Sequence, residues 1–286
     1  MNSPGKRFRK AVEDHRPLSI VGTINAYTAL MAKTIGHQAI YLSGAGCANY
    51  SYGMPDLGMT SLQDVLEDVR RITAAVDTPL LVDIDTGWGG TFNIARSIQE
   101  ISSAGAAAVH MEDQVFEKRC GHRPNKELVS SDEMVARIKA AVDARTDDSF
   151  FIMARTDAYS VEGLNAAIER AGRYMDAGAD GIFAEAMHAI EDYQTFKTNV
   201  KAPLLANMTE FGVTPLFDRS QLADAGVDLV LYPLTAVRMM NRAAELAYSH
   251  LLMNESQASL TDQMQTRDQL YEYLDYLSYE RRLDAN

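Results

Sequence analysis

A recurring unit of helix, glycine and strand constrains this chain more than any other feature. In each copy a small residue and a glycine end a polar helical stretch, an apolar run follows, and a polar residue closes it. The clearest copies lie at residues 103–112, 176–185 and 224–232. A glycine in this place predicts the left-handed backbone with which a helix ends and the chain turns back. Short apolar runs separated by helices predict buried parallel strands, so the unit indicates an α/β fold.

Counted by this rule, the chain carries eight strands with helices between most of them. They are expected near residues 19–27, 39–43, 79–85, 107–113, 150–157, 181–186, 203–209 and 229–233. Eight such strands favour a single (β/α)8 TIM-type barrel over residues 1–286. A doubly wound open sheet is the alternative, but the glycine fingerprint expected after its first strand is missing at Thr28-Ala29-Leu30.

Helical segments are predicted at both ends of the chain. Residues 5–16 read as an amphipathic helix ended by Pro17, and residues 236–253 as a helix after the last strand. A final helix within residues 254–286 carries an apolar face formed by Leu270, Tyr271, Leu274, Leu277 and Tyr279. One barrel does not need this face, so we expect it to dock on a neighbouring subunit, with packing on its own barrel as the alternative.

Charge and cysteine content exclude several classes of protein. The net charge of −12 argues against a nucleic-acid or anionic-membrane surface. No apolar run approaches the roughly 18 residues of a membrane span, and no apolar segment follows the basic N-terminus to make a signal peptide. With only two cysteines, Cys47 and Cys120, a reducing cytoplasm is the simpler location.

The hexapeptide Lys118–Arg123 (KRCGHR) is a cationic island in this acidic chain. Cys120 lies two residues from His122 and among three cations, surroundings that lower the pKa of a thiol. We therefore predict a thiol that exchanges a proton near neutral pH, beside a site for small anions. A solvated basic loop with an incidental cysteine is the alternative.

Two carboxylates, Asp83 and Asp85, stand two residues apart in the third predicted strand. Residues at this spacing point to the same face, and no cation lies nearby in the sequence. Two buried like charges need a cation, and oxygen ligands select a hard one. The pair predicts a Mg²⁺ site, with Mn²⁺ as a substitute; solvated turn acids before the glycine-rich residues 87–90 are the alternative.

Further polar residues follow the strands, at the end where barrel active sites lie. They are Ser43, Gly44, Ala45, Glu112, Gly121, His122, Arg155, Glu185, Asn207, Thr209 and Arg238. Arg155 suits a bidentate contact with a substrate carboxylate, with an ion pair to Asp157 or Glu185 as the alternative. Asn207 and Thr209 either hydrogen-bond a second carboxylate or merely close a strand. His110 and Cys47 are expected in the core.

Together the ordered motifs at residues 43–46, 83–87, 112–114 and 118–123 resemble the isocitrate lyase/phosphoenolpyruvate mutase superfamily. Within it they are most similar to the 2-methylisocitrate lyases, from near residue 5 to the final helix. Further positions that fall in register are Arg155, Glu185, residues 207–209, Arg238 and Arg267. Ala45 departs from the pattern, since relatives often have glycine there, but the contact expected at this position is through the backbone.

The resemblance implies a TIM-type barrel and a Mg²⁺-dependent cleavage of 2-methylisocitrate to pyruvate and succinate, a step of propionate catabolism in the methylcitrate cycle. It implies that Asp83 and Asp85 hold the metal with Glu112 nearby, that Asp56 belongs to the site, and that Arg267 helps to bind substrate. It also implies a homo-oligomer, expected to be a tetramer, whose last helix is exchanged between subunits.

Carbon–carbon cleavage of this kind leaves a succinate carbanion that needs a proton. Cys120 is the expected donor, with Lys118, Arg119 and His122 favouring the thiolate left behind, and Tyr41 and Glu112 are candidates for the base. The apolar Phe183 and Leu231 suit the extra methyl group. Other superfamily lyases (isocitrate lyase, 2,3-dimethylmalate lyase or oxaloacetate hydrolase) and a non-catalytic binding barrel are the alternatives.

Overall fold

Eight parallel strands form the centre of the computed structural model, which describes residues 3–285. Residues 1, 2 and 286 of the predicted domain lie outside the described residues. The strands are β1 Leu18–Gly22, β2 Ala39–Leu42, β3 Leu80–Asp83, β4 Ala108–Glu112, β5 Phe151–Thr156, β6 Gly181–Ala184, β7 Leu204–Asn207 and β8 Leu229–Tyr232.

Each strand pairs with its neighbours in chain order, and β8 pairs with β1 to close the sheet. Leu18 lies opposite Leu229 where the barrel closes. The predicted (β/α)8 barrel is therefore confirmed, and the open sheet is excluded. The first strand is shorter than predicted because Asn25 caps a helix, its side chain accepting from the Thr28 N–H.

The helices lie outside the barrel or extend from its ends. They are α1 Pro4–Asp14, α2 Ala26–Ile35, α3 Gly44–Gly46, α4 Leu62–Ala75, α5 Thr91–Ser103, α6 Ser131–Asp143, α7 Tyr159–Glu162, α8 Leu164–Asp176, α9 Ile190–Asn199, α10 Arg219–Asp224, α11 Thr235–Asn254, α12 Arg267–Leu274 and α13 Tyr276–Asp284. A π-helical turn, Cys47–Ser51, follows α3, and a 3₁₀ segment, Ala258–Gln263, precedes α12. The glycines of the repeated unit, Gly105, Gly178 and Gly226, all have positive φ, as predicted.

The core has two parts. One lies between the sheet and the surrounding helices, and includes Ile72 and Tyr174. The other fills the barrel, where Phe8 of α1 packs edge-to-face on Phe151 with ring centroids 5.3 Å apart. Phe8 is fully buried, and burial of such a ring stabilises the fold by about 1.5–3 kcal/mol. Helix α1 thus closes the N-terminal end of the barrel.

The C-terminal helices lie largely in solvent. The predicted single final helix is instead two, α12 and α13, because Asp275 between them has a φ of 51°. Contact with the barrel runs through α2, where Tyr27 packs on Tyr273 and donates to Gln265. Among the described residues no helix is long and apolar enough to cross a membrane.

Candidate active site

A cavity of about 270 Å³ opens at the C-terminal ends of the strands. Most of the residues predicted for the site line it: Tyr41, Ser43, Ala45, Asp56, Asp83, Cys120, Gly121, His122, Arg155, Glu185, Asn207, Thr209 and Arg238. Gly44, Asp85 and Glu112 adjoin these residues without lining the cavity. Arg267 begins α12, is exposed, and does not line the cavity either.

Asp83 and Asp85 converge beside Gly44, as their spacing predicts. The Gly44 N–H donates to Asp83 Oδ2 at 3.0 Å, and the Asp85 N–H donates to Asp83 Oδ1 at 3.0 Å. A Cβ atom on Gly44 would lie 3.0 Å from Asp83 Oδ2 and 3.1 Å from Asp85 Oδ1. Only a residue without a side chain leaves both carboxylates this close to the backbone. Asp85 itself has a φ of 48°, a strained conformation typical of functional sites.

Lys118 is the internal cation that sequence reasoning missed. Its side chain is 4% exposed, and its Nζ lies 2.7 Å from Asp85 Oδ1 and 2.5 Å from Asp56 Oδ1. No cation lies near Asp83 and Asp85 in the sequence, but the fold brings the Lys118 ammonium to Asp85. Burial raises the pKa of Asp85 to about 6 against the opposing effect of Lys118. Burial also disfavours the charged form of Asp83, but His110, Lys118 and Arg155 outweigh it and lower its pKa.

Arg155 forms ion pairs within the protein, the alternative to a bidentate contact with substrate. Its Nε and Nη2 donate to Asp157 at 2.9 and 3.2 Å. Its Nη1 lies 3.2 Å from Glu112 Oε2, and its Nη2 lies 3.3 Å from Glu185 Oε2. The guanidinium also covers the ring of Phe183 at 5.1 Å. Because its Nε and Nη2 already bind Asp157, Arg155 has no free pair of donors for a bidentate contact with a substrate carboxylate.

The Cys120 thiol is exposed at the cavity, and its predicted low pKa is wrong. Burial by the surrounding protein raises the pKa of the thiol, and Asp56 and Glu185 act in the same direction. The His122 backbone N–H and Arg155 lower it and only partly oppose these effects. The cation expected to stabilise the thiolate, Lys118, is committed to Asp56 and Asp85 instead. The free enzyme therefore holds Cys120 as a thiol, the form that a proton donor needs.

The His122 side chain connects the loop between β4 and α6 with the loop between β7 and α10 over the cavity. Its Nε2 lies 3.2 Å from Glu185 Oε1, and its Nδ1 accepts from the Val213 N–H at 3.1 Å. Asn207 Nδ2 donates to Glu185 at 3.3 Å. Burial disfavours the charged form of Glu185, but Arg155 and His122 outweigh it and lower its pKa. Glu185 thus anchors both loops as a carboxylate.

Arg238 enters the cavity from α11. Its Nε lies 3.4 Å from Glu210 Oε2, and its guanidinium lies 5.4 Å from the centre of the Phe211 ring. Phe211 is exposed and has a φ of 62°. Thr209 of this loop between β7 and α10 was predicted as part of the site, but Glu210 and Phe211 were not, since they follow no strand-end pattern.

His110 is buried, as expected, but it also contacts the site. Its Nε2 lies 2.8 Å from the Tyr41 hydroxyl, which donates to Asp83 Oδ2 at 3.3 Å. Burial raises the pKa of Tyr41 well above its ordinary value, and Asp83 adds to the effect. Burial likewise raises the pKa of Glu112, the other candidate base, and Arg155 and Lys118 only partly oppose it.

Acidic side chains outnumber buried cationic side chains around the cavity. Among the described residues, buried Asp83, Asp85, Glu112, Asp157 and Glu185 face Lys118, Lys126 and Arg155, and Asp56 adds a partly buried acid. Glu112 Oε1 has no hydrogen-bond or ion-pair partner among the described residues, whereas Glu112 Oε2 is paired with Arg155 and Asp85 Oδ1 with Lys118. The unpartnered Glu112 Oε1 and the excess of acidic side chains fit a hard cation. Within residues 3–285 no three His, Cys, Asp or Glu side chains form a complete metal cage, so water and substrate oxygens would complete its coordination.

Comparison with known proteins shows which family the chain is similar to. The phosphoenolpyruvate phosphomutase family model matches residues 8–252. The chain is 63% identical to 2-methylisocitrate lyase of Vibrio cholerae, covering 99% of this chain and 94% of the relative. It is 56% identical to 2-methylisocitrate lyase of Escherichia coli K12, covering 99% and 96%.

A solved structure of 2,3-dimethylmalate lyase, described as a PEP mutase/isocitrate lyase superfamily member, superposes with a TM-score of 0.91 at 32% identity. The match covers 100% of this chain and 95% of that one. The family model, the sequence relatives and the fold agree, and the chain therefore belongs to the phosphoenolpyruvate mutase/isocitrate lyase superfamily of enzymes.

Proposed function

We propose that this protein is a Mg²⁺-dependent carbon–carbon lyase that cleaves 2-methylisocitrate to pyruvate and succinate in propionate catabolism. The observation that carries the proposal is one cavity lined by both the exposed Cys120 and Asp83, with Asp85 adjoining it. Relatives 56–63% identical over almost the whole chain are named for this activity.

Asp83 and Asp85 would hold the metal ion, with Glu112 nearby. Bound there, Mg²⁺ would supply Lewis-acid stabilisation to the 2-hydroxy acid part of the substrate. Mn²⁺, which also suits carboxylate ligands, is expected to substitute. The excess of acidic side chains over buried cations and the unpartnered Oε1 atom of Glu112 support this assignment.

The chain's own residues would bind the substrate carboxylates at the cavity wall. Asn207, Thr209, Ser43 and the backbone at Gly44 and Ala45 supply uncharged hydrogen-bonding groups, and Arg238 and Gly121 line the cavity from the two loops. Arg155 contributes positive charge but keeps its bidentate pair with Asp157. It therefore orients the carboxylates of the site more than it chelates substrate. Arg267 would reach a substrate only through rearrangement or from a neighbouring subunit.

Cys120 is the proton donor of the proposed reaction. In the proposed step Tyr41 as a phenolate, or Glu112 as a carboxylate, takes the hydroxyl proton, the carbonyl of pyruvate forms, and the carbon–carbon bond breaks with its electron pair left on succinate. Cys120 then gives its S–H proton to that carbon, and a C–H bond forms. The thiolate left behind lies near His122 and Arg155. A thiol with a raised pKa enters the reaction protonated, as this step requires.

Selectivity is assigned to two apolar residues of the cavity wall. Phe183 and Leu231 are each 1% exposed and line the cavity beside its polar groups. An apolar pocket that fits one methyl group distinguishes substrates by about 1–3 kcal/mol. Isocitrate lyase, 2,3-dimethylmalate lyase and oxaloacetate hydrolase activities are the rival proposals, since superfamily members with related names share the fold.

The decisive experiment offers 2-methylisocitrate, isocitrate, 2,3-dimethylmalate and oxaloacetate separately to the purified protein with Mg²⁺. Pyruvate and succinate from 2-methylisocitrate, with kcat/KM at least about tenfold above that for the other three, is the expected result. Glyoxylate from isocitrate as the faster reaction would overturn the assignment. No cleavage of any of the four by a folded, metal-loaded protein would favour the non-catalytic barrel.

The assembly proposal rests on an exposed apolar surface. On α11 it includes Met239, Leu246, Tyr248, Leu252 and Met253, each more than half exposed. Large exposed apolar patches mark interaction sites. We propose a cytoplasmic homotetramer in which residues 254–286 pack on, and are exchanged with, a second copy.

A further inference from the structure

Lys126 is a buried lysine that no step of the proposed reaction uses. Its side chain is 1% exposed, although lysine is almost never buried without a partner. Its Nζ donates to Asp157 Oδ1 at 2.9 Å and makes a second hydrogen bond to the Gly121 carbonyl. One ammonium group therefore joins the Cys120 loop to the end of β5.

The β5 end of this link is rigid. Asp157 is fully buried and is held by Arg155 through two hydrogen bonds. Its backbone N–H donates to Asp113 at 2.9 Å, and Asp113 also accepts from Thr156 and Tyr174. A group bound to Asp157 is thereby fixed relative to the barrel.

The loop end of the link is packed against the site. A Cβ atom on Gly121 would lie 2.5 Å from both Arg155 Nη2 and Glu185 Cγ. Gly121 therefore rests directly on these side chains with no room for any other residue. Since Cys120 immediately precedes Gly121, the position of the Gly121 peptide sets the direction in which the thiol points.

Charge balance alone does not explain Lys126. Arg155, which is shared with Glu112 and Glu185, already makes two hydrogen bonds to Asp157, and burying a second cation beside it carries a desolvation cost. The contact that Lys126 alone provides is the one to the Gly121 carbonyl. Among the described side chains no other hydrogen bond holds that carbonyl.

We propose that Lys126 is a positioning residue that fastens the Cys120 loop to Asp157 and so aims the Cys120 thiol into the cavity. Its kinetic consequence rests on the function proposed above, whereas its effect on the loop does not. Without Lys126 the Gly121 carbonyl is released, the loop samples open positions, and Cys120 leaves its crowded surroundings.

The test measures the rate at which Cys120 is alkylated in the full-length protein. Cys47 is 1% exposed and burial raises its pKa far above the ordinary value, so iodoacetamide reacts with Cys120 alone. Alkylation requires the thiolate. In Lys126→Met we expect the alkylation rate at pH 7.5 to rise by about tenfold and its pH midpoint to move down toward the ordinary thiol value, about 8.5.

With substrate, Lys126→Met is expected to lower kcat by about 10²-fold, the usual cost of a misplaced reacting group, with KM changed less. Lys126→Arg restores a cation with several donors and should recover part of the loss in both readouts. Lys139→Met is the matched control, because Lys139 is an exposed lysine of α6, and both readouts should equal those of the unmodified protein.

An alkylation rate and pH midpoint equal to those of the unmodified protein in folded Lys126→Met would overturn the proposal. Should that variant not fold, Lys126→Gln serves instead, since its shorter amide cannot span Gly121 and Asp157 together; unchanged alkylation there has the same meaning. Altered alkylation in a protein that cleaves none of the four acids would sustain the positioning role and reject the proposed reaction.

Discussion

Cys120 keeps its proton because burial raises its pKa and because Lys118 and His122, its neighbours in the sequence, are paired with acidic groups elsewhere in the fold. Lys118 pairs with Asp56 and Asp85, and His122 pairs with Glu185. The chemical character of each residue in the site thus depends on which oppositely charged group reaches it across the barrel. Two experiments test this at the level of single residues.

Replacing Cys120 by serine should lower kcat by about 10²–10⁴, the share usually contributed by general acid catalysis. Serine is nearly isosteric, but its hydroxyl is a far weaker acid. Substrate Kd should change little, because the remaining polar wall of the cavity is intact. Rapid-quench kinetics measures the chemical step, and a rate close to that of the unmodified protein would mean that Cys120 is not the proton donor.

Exhaustive chelation should abolish activity, and added Mg²⁺ or Mn²⁺ should restore it. Lys118 compensates only part of the charge on Asp83, Asp85 and Glu112, so a further cation is expected there. Calorimetry with Mg²⁺ alone gives a second readout, in which Asp85→Asn should bind more weakly than the unmodified protein. Undiminished turnover after chelation would remove the metal role of the acidic pair.

Elements of the fold were predicted well where the signal is local, and poorly where it is not. The glycines at helix ends and the apolar runs predict eight strands, and all eight form. Nothing in the apolar pattern marks Asp275, so the break between α12 and α13 was missed. The strand-end rule placed Arg155 and Cys120 at one cavity, but their partners depend on contacts between distant segments. For that reason the pairing of Lys118 and the raised pKa of the thiol could not be predicted.

The loop before α6 and the loop before α10 meet at His122, and Gly212 determines how closely. A Cβ atom on Gly212 would lie 2.7 Å from His122 Nδ1. Gly212→Ala should therefore displace His122 from Glu185 and lower kcat/KM by about 10-fold to 10²-fold, while the melting temperature hardly changes.

Gly172→Ala is the control for that substitution. Gly172 lies within α8, where an added Cβ meets no atom within 4 Å, and alanine favours a helix over glycine by about 1 kcal/mol. This variant should be as active as the unmodified protein and slightly more stable. Equal kcat/KM in both variants would show that the contact between the two loops does not support the reaction.

For the whole molecule, the exposed apolar surface of α11, α12 and α13 is the feature that a single barrel leaves unexplained. Leu274 and Leu277 are 41% and 56% exposed in the isolated chain. A barrel already closed and packed within itself gains nothing from this surface, whereas a neighbouring copy would bury it.

Sedimentation velocity at micromolar concentration should therefore show a homo-oligomer, with a tetramer as the expected size. Leu274→Glu with Leu277→Glu places two charges in the apolar surface and should shift the population to smaller species. Gln194→Glu, an added charge on exposed α9, should leave the assembly unchanged. A stable, active monomer in the unmodified protein would contradict the proposed assembly.

Phe8 packs into the N-terminal end of the barrel, and the described cavity opens at the C-terminal ends of the strands, where the Cys120 loop lies. In the reaction proposed above, substrate and products would pass this opening. Every turnover would then include one opening and one closing of the segment proposed to deliver the proton. The rate of this loop motion, on the microsecond-to-millisecond scale, would set an upper limit on kcat, however fast the chemical step becomes.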